Sequence, residues 1–130
     1  MSRTISYTPQ GVDVRFTGVA TGAEIDEVNE ETYAHSYEDE LRYVIFDFVD
    51  VARIDISPEA VHAIAEADKR HSALRPRFLG VLITPKPSDY GLARMWQGYA
   101  ADANIESAVF KSRVEALAWL KEHGIEVPEA

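Results

Sequence analysis

The chain has 130 residues, 46% of them hydrophobic, enough for one domain that buries roughly two thirds of the surface its unfolded form exposes. It contains no cysteine, which excludes disulfides, thiolate nucleophiles and Cys-ligated metals, and no apolar run approaches the ~20 residues of a membrane span. The net charge of −9 is concentrated between Phe16 and Leu41, where eight acids and no Lys or Arg occur; such a face repels phosphate backbones and anionic headgroups, against binding of nucleic acid or of a membrane surface there.

The opening residues MSRTISYTPQ lack the apolar core of a secretory signal, so the default compartment is the cytoplasm. Thr4 to Thr8 and Val12 to Thr17 read as two short strands joined by Pro9-Gln10-Gly11, because Val12, Val14 and Phe16 alternate with Asp13, Arg15 and Thr17. Thr21 stands three residues before Glu24, a capping-box spacing that starts a helix running to about Ser36. Its apolar stripe of Ile25, Val28 and Thr32 is thin, which predicts a lightly anchored helix over an edge of the sheet. Its acids read either as a solvated face or as a docking site for a basic partner.

Tyr43 to Val49, nearly all apolar and rich in β-branched and aromatic residues, reads as a central strand covered on both faces. A polar corner at Asp50 to Asp55 leads to Ser57-Pro58-Glu59, where Ser is an N-cap and Pro occupies the first helical position without losing a useful donor. The helix that follows, to about Ala73, carries Val61, Ile64 and Ala65 on one face and places Asp68 among them. A carboxylate there is paired, frayed toward water or functional; Lys69, Arg70, Arg75 and Arg77 are the partners nearest in sequence.

Arg77 to Thr84 reads as a second buried strand, and Pro85 to Asp89 ends it and opens a helix with a capping residue. That helix, to about Asp102, gathers Leu92, Met95, Trp96 and Tyr99 on one face with Tyr90 opposite. So much aromatic bulk makes either a core contact or one wall of an apolar pocket. Ile105 to Phe110 is the last strand, and Ser112 to His123 the last helix, facing inward through Val114, Leu117 and Ala118, with Trp119 outside the stripe as a candidate dimer contact. Gly124 followed by Ile125 is a C-cap pattern with its hydrophobic contact.

The order ββαβαβαβα indicates a single α/β domain with a mixed, mostly parallel sheet, an N-terminal hairpin and about four helices. Ligands of such sheets lie beyond the carboxyl ends of the strands, here Asp50 to Ser57 and Thr84 to Gly91. Neither phosphate-binding glycine pattern is present, nor a G-x-S-x-G elbow. The four histidines form no ligand run, so no metal, cofactor or catalytic residue is assigned.

At Val44 to Val61 the chain resembles the STAS domain, the fold of bacterial anti-sigma-factor antagonists and of the cytoplasmic tails of sulfate transporters. The resemblance rests on Ile45-Phe46-Asp47-Phe48 and on Ile54-Asp55-Ile56-Ser57-Pro58, which stand where that family has a hydrophobic-Asp-hydrophobic strand and an Asp-Ser-Ser/Thr-Gly helix start. It implies a regulatory, non-enzymatic domain that binds a protein partner or itself through Asp55, Ser57 and Glu59, with Ser57 at the family's phosphorylated position. Ile56 and Pro58 depart from the motif, and Pro58 removes a backbone N–H that would hold a phosphate. The Tyr90 to Met95 helix and the closing Phe110 to Leu120 stretch resemble a STAS branch similar also to lipid-binding CRAL-TRIO domains. This implies, as the alternative, a carrier or sensor of an apolar small molecule at Tyr90, Leu92, Met95, Trp96 and Tyr99.

Overall fold

The computed structural model describes residues 3–128. Strands β1 (Arg3–Thr8) and β2 (Gly11–Thr21) form the hairpin, and helix α1 (Gly22–Ala34) leads to β3 (Tyr43–Asp55). Then α2 (Pro58–Ser72), β4 (Phe78–Ile83), α3 (Pro87–Tyr99), β5 (Ile105–Phe110) and α4 (Arg113–Glu122) complete the order ββαβαβαβα. The sheet runs β1-β2-β3-β4-β5, antiparallel in the hairpin and parallel at the three other pairings. Among the described residues no helix is long and apolar enough to cross a membrane.

Alternation along the strands divides the core. Val12, Val14, Phe16, Phe46 and Phe48 turn toward α1, α2 and α3, while Tyr43, Ile45, Val81 and Ile83 turn to the opposite face, where Ala116, Leu120 and Ile125 cover them. Each side is apolar, so the central strands β3 and β4 read as nearly continuous hydrophobic runs.

Three expectations are corrected. The polar corner at Asp50 to Asp55 is strand: β3 continues to Asp55, paired with β2 from Thr17↔Asp50 to Thr21↔Asp55. The pairing with β4 ends at Asp47↔Ile83, so the distal half of β3 projects beyond β4 and its polar residues face solvent. Lys86 covers the exposed edge, its Nζ donating to the carbonyls of Val51 (2.6 Å) and Ala52 (2.7 Å). Lys86 is also the N-cap residue of α3, which has no side-chain cap bond, contrary to the cap read from Pro85 to Asp89.

Helix α1 buries more than its apolar stripe. It packs on β2 and α2, and beyond Ile25, Val28 and Thr32 it buries Asn29 and Tyr33, polar residues that an apolar stripe does not reveal. The α4 stripe is rotated from the expected one: Ala116 and Leu120 are fully buried, whereas Val114 is 80% exposed. The rotation follows from Arg113, which bonds Asp47 Oδ2 (2.9 Å) and Asp13 on the sheet face and so directs positions 113, 116, 117 and 120 inward. Trp119 is half-buried against Phe110 and His123.

The local start and stop signals hold. Thr21 Oγ1 accepts from the Glu24 amide (3.2 Å) and Ser57 Oγ from the Ala60 amide (3.1 Å). Gly124 adopts φ 82°, a conformation that needs glycine, and lets the Ile125 amide reach the Leu120 carbonyl at 2.9 Å.

Candidate functional site

Two places on the molecule carry unassigned chemistry. The first is the end of β3 and the start of α2. Asp55, Ser57, Pro58 and Glu59 are all exposed, and β2 and β3 end in register at Thr21↔Asp55, so α1 and α2 begin side by side at this end of the sheet. The Ser57 oxygen accepts the Ala60 amide while its hydroxyl proton stays available to solvent or a partner. Pro58 leaves this helix start one amide short of the usual set. Exposed Asp50, Asp55 and Glu59 make the rim acidic. A shallow depression lined by Gly22, Ala23, Asp26, Ala60 and Ala63 runs beside it between the two helices.

The second is a cavity of about 90 Å³ between the sheet and the three helices on that face. Its floor is the inward half of two strands, Val44, Phe46 and Phe48 of β3 and Gly80, Leu82 and Thr84 at the end of β4. Its walls are three helical stripes: Ile25, Asn29 and Tyr33 from α1, Val61, Ile64 and Asp68 from α2, and Asp89, Leu92, Ala93 and Trp96 from α3. Gly80 allows the close packing on β4, since a Cβ there would lie 2.8 Å from Ile105 Cγ2. Half-buried Ile54, Ile56 and Leu92 form the rim, which borders the first site.

One end of the cavity is a completed polar cluster. Asp68, 4% exposed, accepts three hydrogen bonds: Asn29 Nδ2 (3.0 Å) and Tyr33 Oη (2.8 Å) donate to Oδ1, and Trp96 Nε1 (2.8 Å) donates to Oδ2. Its partners are therefore neutral donors from other helices, not the basic residues close in sequence. Burial pushes the Asp68 carboxyl above the usual carboxylate range; the three hydrogen bonds and the nearby His71 oppose that shift. Burial, together with the Asp68 carboxylate it bonds, raises the Tyr33 phenol strongly.

The other end is incomplete. Thr84 (1% exposed) and Asp89 (3% exposed) are buried, yet neither Thr84 Oγ1 nor Asp89 Oδ2 has a hydrogen-bond partner among the described residues. Burial pushes the Asp89 carboxyl up, against the pull of Lys86 and a hydrogen bond from the Ile54 backbone.

Of the apolar residues singled out on α3, Leu92 and Trp96 line this cavity. Tyr90, Met95 and Tyr99 do not: Lys111 lies over the Tyr90 ring (5.0 Å) and Tyr99 is 40% exposed beside His62. The inward stripe of α3 begins at a carboxylate, Asp89, so a search for apolar spacing selects a face rotated from the true one. Thr84 and Asp89 fall in the Thr84 to Gly91 segment expected beyond a strand end, whereas Asn29 and Tyr33 escape a search for apolar spacing, and Asp68 is the sequence's signal that polar chemistry lies inside.

An antiparallel hairpin leading a parallel sheet, helices on both faces, and a helix capped just past the third strand together define a STAS-like α/β domain. The solved structure of the anti-sigma factor antagonist SpoIIAA in its unphosphorylated form matches with a TM-score of 0.61, over 97% of this chain and 100% of that one, at 16% sequence identity. No family model matches the sequence, and no curated protein matches it.

Proposed function

We propose that the chain is a non-enzymatic regulatory domain that binds a protein partner through Asp55, Ser57 and Glu59. The observation that carries this reading is the exposure of these three side chains at the capped start of α2, on a fold shared with an anti-sigma factor antagonist. The acidic rim favours a basic partner surface, through complementary charge that speeds encounter and fixes register. Ser57 is the position where a phosphate would change that surface most, adding nearly two negative charges.

The test is affinity capture from the source organism with the wild-type chain, Asp55→Lys/Glu59→Lys and Ser57→Glu, with crosslinks mapped by mass spectrometry. The double charge reversal is expected to lose the partner, and crosslinks to fall within the first turn of α2. Retention of every partner by the double variant would overturn the docking site, while a Ser57→Glu protein that binds as the wild type does would remove the switch and leave the docking site. A second reading, a carrier or sensor of an apolar small molecule, is favoured by the cavity under α3.

A further inference from the structure

The first turn of α3 directs its polar groups away from its own helix. Lys86 is the N-cap residue and makes no side-chain cap bond, where Ser, Thr, Asn or Asp would supply one. A cation at that position also opposes the positive end of the helix dipole. The Lys86 ammonium instead donates to the carbonyls of Val51 (2.6 Å) and Ala52 (2.7 Å) on the projecting half of β3. Asp89, in the same turn, accepts from the Ile54 backbone and is drawn to Lys86. Two side chains of opposite charge thus hold the last residues of β3, on the edge where pairing with β4 has already ended at Asp47↔Ile83.

The held residues lead directly into the docking surface. Asp55 ends β3, half-buried Ile56 follows, and Ser57 caps α2. Helix α3 also grips the far side of this connection, because Trp96 Nε1 donates to Asp68 Oδ2 of α2 at 2.8 Å. It therefore braces the connection both from the strand before it and from the helix after it. Resting on the protein-binding reading above, we infer that Lys86, assisted by Asp89, is a positioning residue for the docking surface, holding Asp55 and Ser57 in the arrangement the partner meets without itself touching the partner.

Shielding of a bare strand edge is the simpler role for such a lysine, and it differs in reach. A shield protects residues 48–55 alone, whereas a brace also fixes residues 56–60, which have no strand edge to cover. Releasing a brace lowers the fraction of molecules whose docking surface is formed, and apparent affinity falls in proportion to that fraction.

The experiment compares the full chain as wild type, Lys86→Met and Lys86→Arg by ¹H–¹⁵N spectra, amide hydrogen exchange and binding of the protein that the wild-type chain crosslinks through the first turn of α2. Lys86→Met is expected to shift the Asp55, Ser57 and Ala60 amides and to speed exchange about tenfold at Ala60, whose amide bonds Ser57 Oγ. Residues 43–47 keep wild-type exchange, which verifies the fold. Binding is expected to weaken about tenfold with Lys86→Met, and Lys86→Arg, which keeps the charge and the donors, to restore both spectra and binding. Wild-type spectra and exchange at residues 55–60 in Lys86→Met would overturn the positioning role, as would loosened residues 55–60 with binding undiminished. A crosslink from Lys86 to the partner would overturn it too, making Lys86 a contact residue. The docking reading fails by a separate result, retention of every partner by Asp55→Lys/Glu59→Lys, so the two failures are distinct.

Discussion

At the scale of single residues, two buried charge clusters decide where this protein is sensitive. Asp68 is held by three neutral donors, and burial still moves its carboxyl upward. A raised native value means that the folded chain keeps a proton that the unfolded chain has released. The stability this group contributes is therefore complete below the ordinary carboxylate value and is lost as pH rises through the raised one. Urea denaturation of wild type and Asp68→Asn at a series of pH values is expected to show the wild type losing stability relative to the variant above about pH 4; a constant difference would mean that the three donors cancel the effect of burial. The second cluster joins Arg113 to Asp13 and Asp47. Arg113→Leu takes the nearest cation from two neighbouring buried carboxylates, leaving Asp13 the longer contact with Arg15 (3.9 Å) and Asp47 the Val49 amide, and is expected to cost about 3 kcal/mol, partly recovered when Asp13→Asn and Asp47→Asn are added. The inward position of Asp68 was legible in the sequence but its donors were not, and the Arg113 cluster was not, because Asp13 and Arg113 are separated by 100 positions and meet only when α4 lies across the sheet.

At the scale of elements, local chemistry announced the starts of helices better than their facing. The caps at Thr21 and Ser57 and the C-cap at Gly124 involve atoms a few residues apart, so nothing distant has to be known. Facing depends on what a helix meets. Helix α3 turns Asp89 inward and Tyr99 outward, and α4 is rotated by its Arg113 anchor, both against the pattern of apolar spacing. The projecting half of β3 shows the same dependence, since it is strand only because β2 continues beside it. Lys86→Met, which uncovers the Val51 and Ala52 carbonyls, is expected to speed amide hydrogen exchange within residues 48–55 while residues 43–47, flanked by β4, keep their protection. Uniform acceleration across β3 would show that the projection is not held by Lys86.

At the scale of the whole molecule, charge and packing are segregated. The acids at the start of α1, Glu24, Asp26 and Glu27, lie at the end of the sheet that carries the candidate docking surface, while Glu38, Asp39 and Glu40 of the loop before β3 lie at the opposite end. Arg3 offsets part of that field through Glu24, Glu27 and Glu31. If the partner is basic, its association rate is expected to fall about tenfold as salt rises from low to several hundred millimolar, with a smaller change in dissociation rate. A rate independent of salt would indicate an apolar contact instead.

The sequence by itself determined the order of elements, the mostly parallel character of the sheet and most helix starts, because periodicity and capping are short-range; the STAS-like architecture came from a resemblance carried by Val44 to Val61. Only the tertiary structure decided that β3 runs on to Asp55, that Asp68 is satisfied by Asn29, Tyr33 and Trp96, and that Thr84 and Asp89 line a cavity with atoms to spare. These features join side chains from different elements, and the polarity that marks such residues as surface in a linear reading is what burial turns into specific chemistry.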